Sequence, residues 1–108
     1  MHYFFKIYGF IQDISDNFPK IKKILQEFAF EEIDVHGNRI DFFYWSNVYL
    51  DVEQFLTQLK TTLSSDAYGQ IDYIDFLDWK MIRFFIQGSS ITSQAIPLNK
   101  SMDFYSLT

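Results

Sequence analysis

The chain has 108 residues, with 48% hydrophobic and 20% aromatic side chains, and its 14 acidic and 9 basic side chains give a net charge of −5. This length accommodates one hydrophobic core, so residues 1–108 are predicted to form a single globular domain. The acidic balance argues against nucleic acid as a partner, because phosphates bind basic surfaces, and favours a basic protein partner instead.

The first predicted elements are a strand and an amphipathic helix. Residues Tyr3 to Ile11 are rich in aromatic and β-branched side chains, which predicts a strand. This segment is too short to cross a membrane, and it lacks the basic leader and small-residue cleavage site of a signal peptide. After a polar break at 12–17, Pro19 suits the first turn of a helix. The apolar stripe of that helix consists of Ile21, Ile24, Leu25 and Phe28.

A β-hairpin is predicted around the dipeptide Gly37-Asn38. Apolar and polar side chains alternate on both sides of it, and glycine at the first turn position fits a type I′ or II′ turn. The predicted cross-strand pairs are Val35–Ile40, His36–Arg39 and Asp34–Asp41. The predicted buried face consists of Ile33, Val35, Ile40, Phe42 and Tyr44.

A second helix is predicted from Asp51 onwards. Asp51 and Gln54 resemble a capping box, and Leu50 is placed to pack on Phe55. The apolar residues at helical spacing are Val52, Phe55, Leu56, Leu59 and Leu63. Ser64-Ser65-Asp66 is expected to end the helix.

The C-terminal part of the chain predicts strands around one ambiguous segment. After a break at Tyr68-Gly69, the segment 71–79 has aspartate at every third position, which matches neither a strand nor a helix. Lys80 to Gln87 predicts a central strand, because apolar side chains occupy both of its faces. A turn at 88–90 leads to another strand, 91–96, and Asn99 is placed to cap a short C-terminal helix.

These elements predict an α+β fold, in which two amphipathic helices cover one face of a mainly antiparallel sheet. The order strand, helix, strand, strand, helix, strand is that of the ferredoxin-like split β-α-β unit, here with one or two added strands. The other face of such a sheet is left uncovered. Several of the aromatic side chains are therefore expected on that uncovered face.

Residues suited to catalysis, cofactor binding or metal binding are scarce. Cysteine is absent, which excludes thiolate chemistry and disulfides and fits a cytoplasmic protein. The two histidines, His2 and His36, form no Ser-His-Asp set, and no glycine-rich phosphate loop is present. We therefore predict a non-enzymatic protein without a cofactor. A metal site at Asp34, His36 and Asp41 is the alternative to a solvated hairpin face on which Arg39 neutralises one of the carboxylates.

An acidic and aromatic segment is the first candidate partner-binding site. Its members are Asp66, Asp72, Asp75, Asp78 and Trp79. In a helix, the last three aspartates would spread across one side. Carboxylates beside aromatic side chains suit docking of a Lys- and Arg-rich protein, because charges steer the encounter and aromatic rings provide buried anchors. The alternative is an ordinary solvated acidic face.

Phe43 and Trp45 form the second candidate partner-binding site. Strand alternation sends them to the face opposite Phe42 and Tyr44, so both faces of this strand carry large apolar groups. A chain of this size has few residues left for a second covering layer. Phe43 and Trp45 are therefore expected at an interface with a protein partner or with a second copy of the chain, or else in the core.

The leading functional hypothesis is a small protein that binds and blocks a basic, nuclease-type protein by occlusion. Toxin-immunity proteins of the bacteriocin or contact-dependent inhibition kind share this general character, although no family motif is matched. A phage-encoded inhibitor of a nucleic-acid-binding complex would have the same features. A different class is a ferredoxin-like sensor that dimerises through its aromatic sheet face and holds a small apolar ligand there.

Overall fold

The computed structural model describes residues 4–14 and 17–98. These residues form six strands and two helices: β1 (Phe5–Gln12), α1 (Phe18–Glu27), β2 (Glu32–His36), β3 (Arg39–Ser46), α2 (Val52–Lys60), β4 (Tyr68–Asp75), β5 (Lys80–Gln87) and β6 (Ser90–Ile96). The predicted α+β class is confirmed. The short helix predicted after Asn99 lies outside the described residues.

All six strands belong to one antiparallel sheet with the order β2-β3-β1-β4-β5-β6. The strand β3 lies between β1 and β2, which is the arrangement of a split β-α-β unit. The strands β5 and β6 extend the sheet beyond β4, so two strands are added to the predicted core. The central position predicted for residues 80–87 is confirmed, because β5 has neighbours on both sides.

Each helix has a hydrogen-bonded motif at one of its ends. In α2, the Asp51 side chain accepts a hydrogen bond from the Gln54 backbone N–H at 3.1 Å, as the predicted cap requires. In α1, the chain leaves the helix through Ala29 at φ 66°. The backbone N–H groups of Ala29 and Phe30 donate to the carbonyls of Gln26 and Leu25, which is a Schellman motif.

The hydrophobic core lies between the two helices and one face of the sheet, called here the helix side. Alternate residues of each strand point to it, and the predicted stripe residues Ile21, Ile24 and Leu25 of α1 are buried against it. The ring of Phe30 lies 5.4 Å from that of Phe42 and 5.1 Å from that of Phe55. These three rings join the sheet to α2 at the centre of the core.

The predicted hairpin register is confirmed pair by pair: Val35 lies opposite Ile40, His36 opposite Arg39 and Asp34 opposite Asp41. Gly37 has φ 58°, a conformation that glycine adopts readily at the first position of the turn. The break predicted at Tyr68-Gly69 is wrong, because both residues belong to β4. A Cβ atom on Gly69 would collide with the Phe10 backbone, so this glycine permits close strand approach and does not form a turn.

The face of the sheet opposite the helices, called here the open face, carries the predicted aromatic side chains. Phe43 and Trp45 lie on it, as strand alternation predicts, with ring centroids 5.9 Å apart. Tyr8 packs beside Phe43 at 4.8 Å. A small second cluster of Ile74, Met81 and Leu98 covers one corner of this face. Among the described residues, neither helix has the length and apolarity needed to cross a membrane.

Candidate partner-binding site

The predicted acidic segment is divided between several surroundings, because residues 68–75 form a strand and 76–79 a turn. Side chains three residues apart on a strand point to opposite faces. Asp72 accordingly lies on the open face, and Asp75 lies on the helix side. Asp66 precedes β4, at the other end of that strand from Asp75 and Asp78. The structure therefore brings only part of the predicted set together.

Asp72 is engaged within the protein. Its carboxylate accepts hydrogen bonds from Nε and Nη2 of Arg83 at 2.8 and 3.2 Å, and both side chains are largely buried. A bidentate pair of this kind satisfies the carboxylate and fixes the guanidinium plane. Asp72 is therefore positioned to hold β4 to β5 and has little exposed surface to offer a partner.

Asp75 is buried at the end of β4 and organises the turn that follows. Its Oδ1 atom accepts hydrogen bonds from the backbone N–H groups of Leu77 and Asp78 at 2.9 and 3.0 Å. Trp79 completes the turn at φ 55°, an unfavourable conformation for a bulky side chain. The turn thereby holds the side chains of Leu77, Asp78 and Trp79 out in solvent.

Two loops meet at the start of β1 and form a surface that we call the loop end. They are the β3–α2 connection, residues 47–51, and the β4–β5 turn, residues 76–79. The backbone N–H of Phe4 donates to Oδ1 of Asn47 at 3.2 Å, and the N–H of Phe76 donates to the Phe4 carbonyl at 2.8 Å. The start of β1 therefore fixes both loops.

The loop end carries the most exposed large apolar side chains of the described residues. They are Val48 at 68% exposure, Tyr49 at 64%, Leu77 at 60% and Trp79 at 50%. Tyr49 and Leu77 line one groove, and neighbouring exposed apolar side chains are more typical of interaction sites than single ones. Of these four, sequence reasoning identified Trp79 alone. The exposure of Val48, Tyr49 and Leu77 could have been inferred because they are apolar residues in segments too short to form a strand or a helix.

Carboxylate-bearing residues share a groove with Tyr49 and Leu77. Asp51 and Glu53 at the start of α2 are exposed, as is Asp78, whose carboxylate lies 3.9 Å from the Lys80 ammonium group. Trp45 reaches the same end of the sheet from the open face, since it lies opposite Lys6 and one position from the pair Phe5–Ser46. The loop end thus contains acidic and aromatic side chains; of the predicted acidic segment it includes Asp78 and Trp79, and it adds Asp51 and Glu53.

The polar face of the β2–β3 hairpin forms an ion-pair cluster. Arg39 donates two hydrogen bonds to Asp41 at 3.1 and 2.9 Å, and Nε2 of His36 lies 3.0 Å from the same carboxylate and 3.4 Å from Asp34. The hydrogen bonds from Arg39 lower the pKa of Asp41. No group of three or more His, Cys, Asp or Glu side chains in 4–14 and 17–98 is arranged to hold a metal ion. Arg39 offsets the repulsion between the opposed aspartates.

Comparison of the chain with protein-family models, with curated protein sequences and with solved structures gave no match.

Proposed function

We propose that the chain is a non-enzymatic inhibitor that binds a basic protein, in the manner of a toxin-immunity protein, and that the loop end is its docking surface. The supporting observation is that the two loops held by the start of β1 expose Val48, Tyr49, Leu77 and Trp79, and that Tyr49 and Leu77 line one groove with the carboxylate-bearing residues Asp51, Glu53 and Asp78. Aromatic side chains surrounded by charged groups are the usual composition of interface hot spots.

The mechanism is occlusion. Trp79 and Tyr49 insert into apolar recesses of the partner, and Asp51, Glu53 and Asp78 attract its cationic side chains. A nuclease or another nucleic-acid-binding protein has such a cationic surface, because it must bind phosphates. Covering that surface with carboxylates excludes the polynucleotide. A phage-encoded inhibitor of a nucleic-acid-binding complex would use the same chemistry.

Affinity capture with three matched baits tests this proposal. The baits are the wild-type chain, a loop-end variant, Tyr49→Ala/Trp79→Ala, and a control variant, Tyr68→Ala/Phe85→Ala. The control removes two aromatic rings of 44% and 40% exposure from the other end of the open face. Equal melting temperatures would show that all three are folded. Each is incubated with native host lysate and washed at low salt, the bound proteins are eluted at high salt, and the eluted proteins are identified by mass.

The expected result is one stoichiometric basic protein that binds the wild type and the control, leaves at high salt and fails to bind the loop-end variant. Absence of any stoichiometric protein, or equal capture by all three baits, would contradict the proposal.

A sheet-face dimer is the second candidate function, since Tyr8, Trp45 and Phe85 on the open face are each about 40% exposed. A sensor of this class would bind a small apolar ligand between two such faces. Its solution mass would be that of a dimer, and Tyr68→Ala/Phe85→Ala would convert it to a monomer. The same control variant therefore separates the two candidates.

A further inference from the structure

A groove of about 620 Å³ opens on the helix side of the sheet, between the start of α2 and the β4–β5 turn. This volume lies within the range of small-ligand sites, roughly 300–1,000 Å³. Four carboxylates line the groove, those of Asp51, Glu53, Asp75 and Asp78, together with the ammonium group of Lys80. The excess of negative charge selects a cationic ligand.

Tyr73 supplies an independent indication of a ligand. Its side chain lines the groove, the residue is only 5% exposed, and its hydroxyl group has no hydrogen-bond partner among the described residues. Buried tyrosine hydroxyl groups nearly always have a partner, because an unsatisfied one loses its bonds to water. Burial and the nearby Asp75 raise the pKa of Tyr73 to about 12, so the hydroxyl group is protonated and neutral at pH 7.

The walls of the groove define the shape of the cation. The rings of Phe5, Tyr49 and Phe84 line it beside the carboxylates. A guanidinium group is planar, stacks on aromatic rings and presents five N–H donors to several oxygen acceptors. An ammonium group is more strongly hydrated and stacks less well. Arginine therefore matches this combination of rings and carboxylates better than lysine.

We propose that the groove binds the guanidinium group of an arginine side chain of the partner protein, with the Tyr73 hydroxyl oxygen accepting one of its N–H groups. The carboxylates of Asp51, Glu53 and Asp78 offset its charge at the mouth of the groove. This inference rests on the proposed function, since it names the chemical group through which a basic partner is recognised. Tyr49, Asp51, Leu77 and Asp78 belong to both the groove and the loop end, so one arginine entering here adjoins the docking surface.

Titration of the full chain with N-acetyl-arginine N-methylamide, followed by amide NMR shifts, tests the groove without the partner. The uncharged control ligand is N-acetyl-citrulline N-methylamide, which has nearly the same shape. The variants are Tyr73→Phe, which removes only the hydroxyl oxygen, and Tyr68→Phe, its matched control at an exposed site far from the groove. Asp78→Asn and Asp66→Asn form a second matched pair.

We expect saturable shifts confined to residues at or beside the groove, which are 5, 49–53, 73–84 and 93, with little response to citrulline. Tyr73→Phe should weaken binding roughly tenfold, the loss expected for one hydrogen bond to a charged group. Asp78→Asn should also weaken it, and Tyr68→Phe and Asp66→Asn should leave it unchanged. Absence of saturation, equal binding of citrulline, or unchanged affinity of Tyr73→Phe would overturn the inference.

The arginine titration and the affinity capture from lysate can each fail while the other succeeds. If a partner binds through the loop end but the groove does not bind arginine, the groove proposal is wrong and the docking surface still stands. Arginine binding without any captured partner would support the groove and contradict the proposed inhibitor.

Discussion

The ion pair between Asp72 and Arg83 gives a sharp prediction, because the two side chains are unequally buried. The exposed fraction is 11% for the Asp72 side chain and 29% for that of Arg83. Arg83→Met leaves a buried carboxylate without its cation, whereas Asp72→Asn leaves a guanidinium group that water can reach. Removing the arginine should therefore destabilise the protein more than neutralising the aspartate.

The expected losses in the free energy of unfolding follow from the exposed fractions of the two side chains. Loss of one partner from a buried pair costs about 3–5 kcal/mol, and partial exposure places Arg83→Met near the lower end, about 3 kcal/mol. Asp72→Asn keeps a hydrogen-bond acceptor and should cost about 1–2 kcal/mol. The double variant should be more stable than Arg83→Met alone, because it no longer contains the uncompensated carboxylate.

Urea denaturation followed by tryptophan fluorescence measures these free energies in the four proteins of the cycle. For a chain of 108 residues, 3 kcal/mol corresponds to a fall in melting temperature of about 12 °C. If Arg83→Met were no less stable than Asp72→Asn, or if the two effects simply added, the carboxylate would not depend on Arg83 as described. Asp72→Asn should also leave the rate of partner association unchanged.

Three further predictions concern stability. Ala29→Gly should raise the free energy of unfolding by about 1 kcal/mol, because φ of 66° strains alanine but not glycine; an unchanged or lower melting temperature would contradict this. The pKa of Asp41 is lowered in the folded state, so its ionised carboxylate stabilises the protein above the ordinary pKa of 3.8, and this stabilisation is lost as the pH falls below that value. Asp41→Asn should therefore lose less stability than the wild type between pH 6 and pH 3. The pKa of Tyr73 is raised in the folded state, so the stabilisation that its neutral hydroxyl group provides is fully present below pH 10 and is lost as the pH rises toward about 12. Tyr73→Phe should flatten this alkaline decline, and a decline equal to that of the wild type would show that other groups cause it.

The hairpin register and the N-terminal cap of α2 could be predicted because they depend on neighbours in the sequence, whereas Asn17 makes no side-chain cap bond in α1. Gly37-Asn38 determines which residues face each other, and Asp51 reaches the N–H of Gln54 three residues away. The two-residue spacing of Phe43 and Trp45 likewise places them on one face of any strand. Sequence patterns that span only two or three residues determine the local backbone and side-chain arrangement without contacts from distant residues.

The acidic site could be predicted only in part, because its assembly depends on tertiary contacts. Whether Asp72, Asp75 and Asp78 share a surface depends on whether the segment is helix or strand, and their spacing of three fits neither. Nothing local indicates that Arg83, eleven residues later, binds Asp72. The meeting of Tyr49 with Leu77 depends on both loops joining the start of β1.

The most direct test of the loop-end proposal is the association rate constant of the captured partner over a series of salt concentrations. Asp51→Asn/Asp78→Asn removes two charges from the loop end, and asparagine still caps α2. Asp34→Asn/Asp66→Asn removes two exposed charges far from it and gives the same net charge. If the loop end docks the partner, Asp51→Asn/Asp78→Asn associates roughly three- to tenfold more slowly than the wild type at low salt, and Asp34→Asn/Asp66→Asn has a much smaller effect. The difference disappears at high salt. Equal slowing by both variants would show that only net charge matters, and would contradict docking through the loop end.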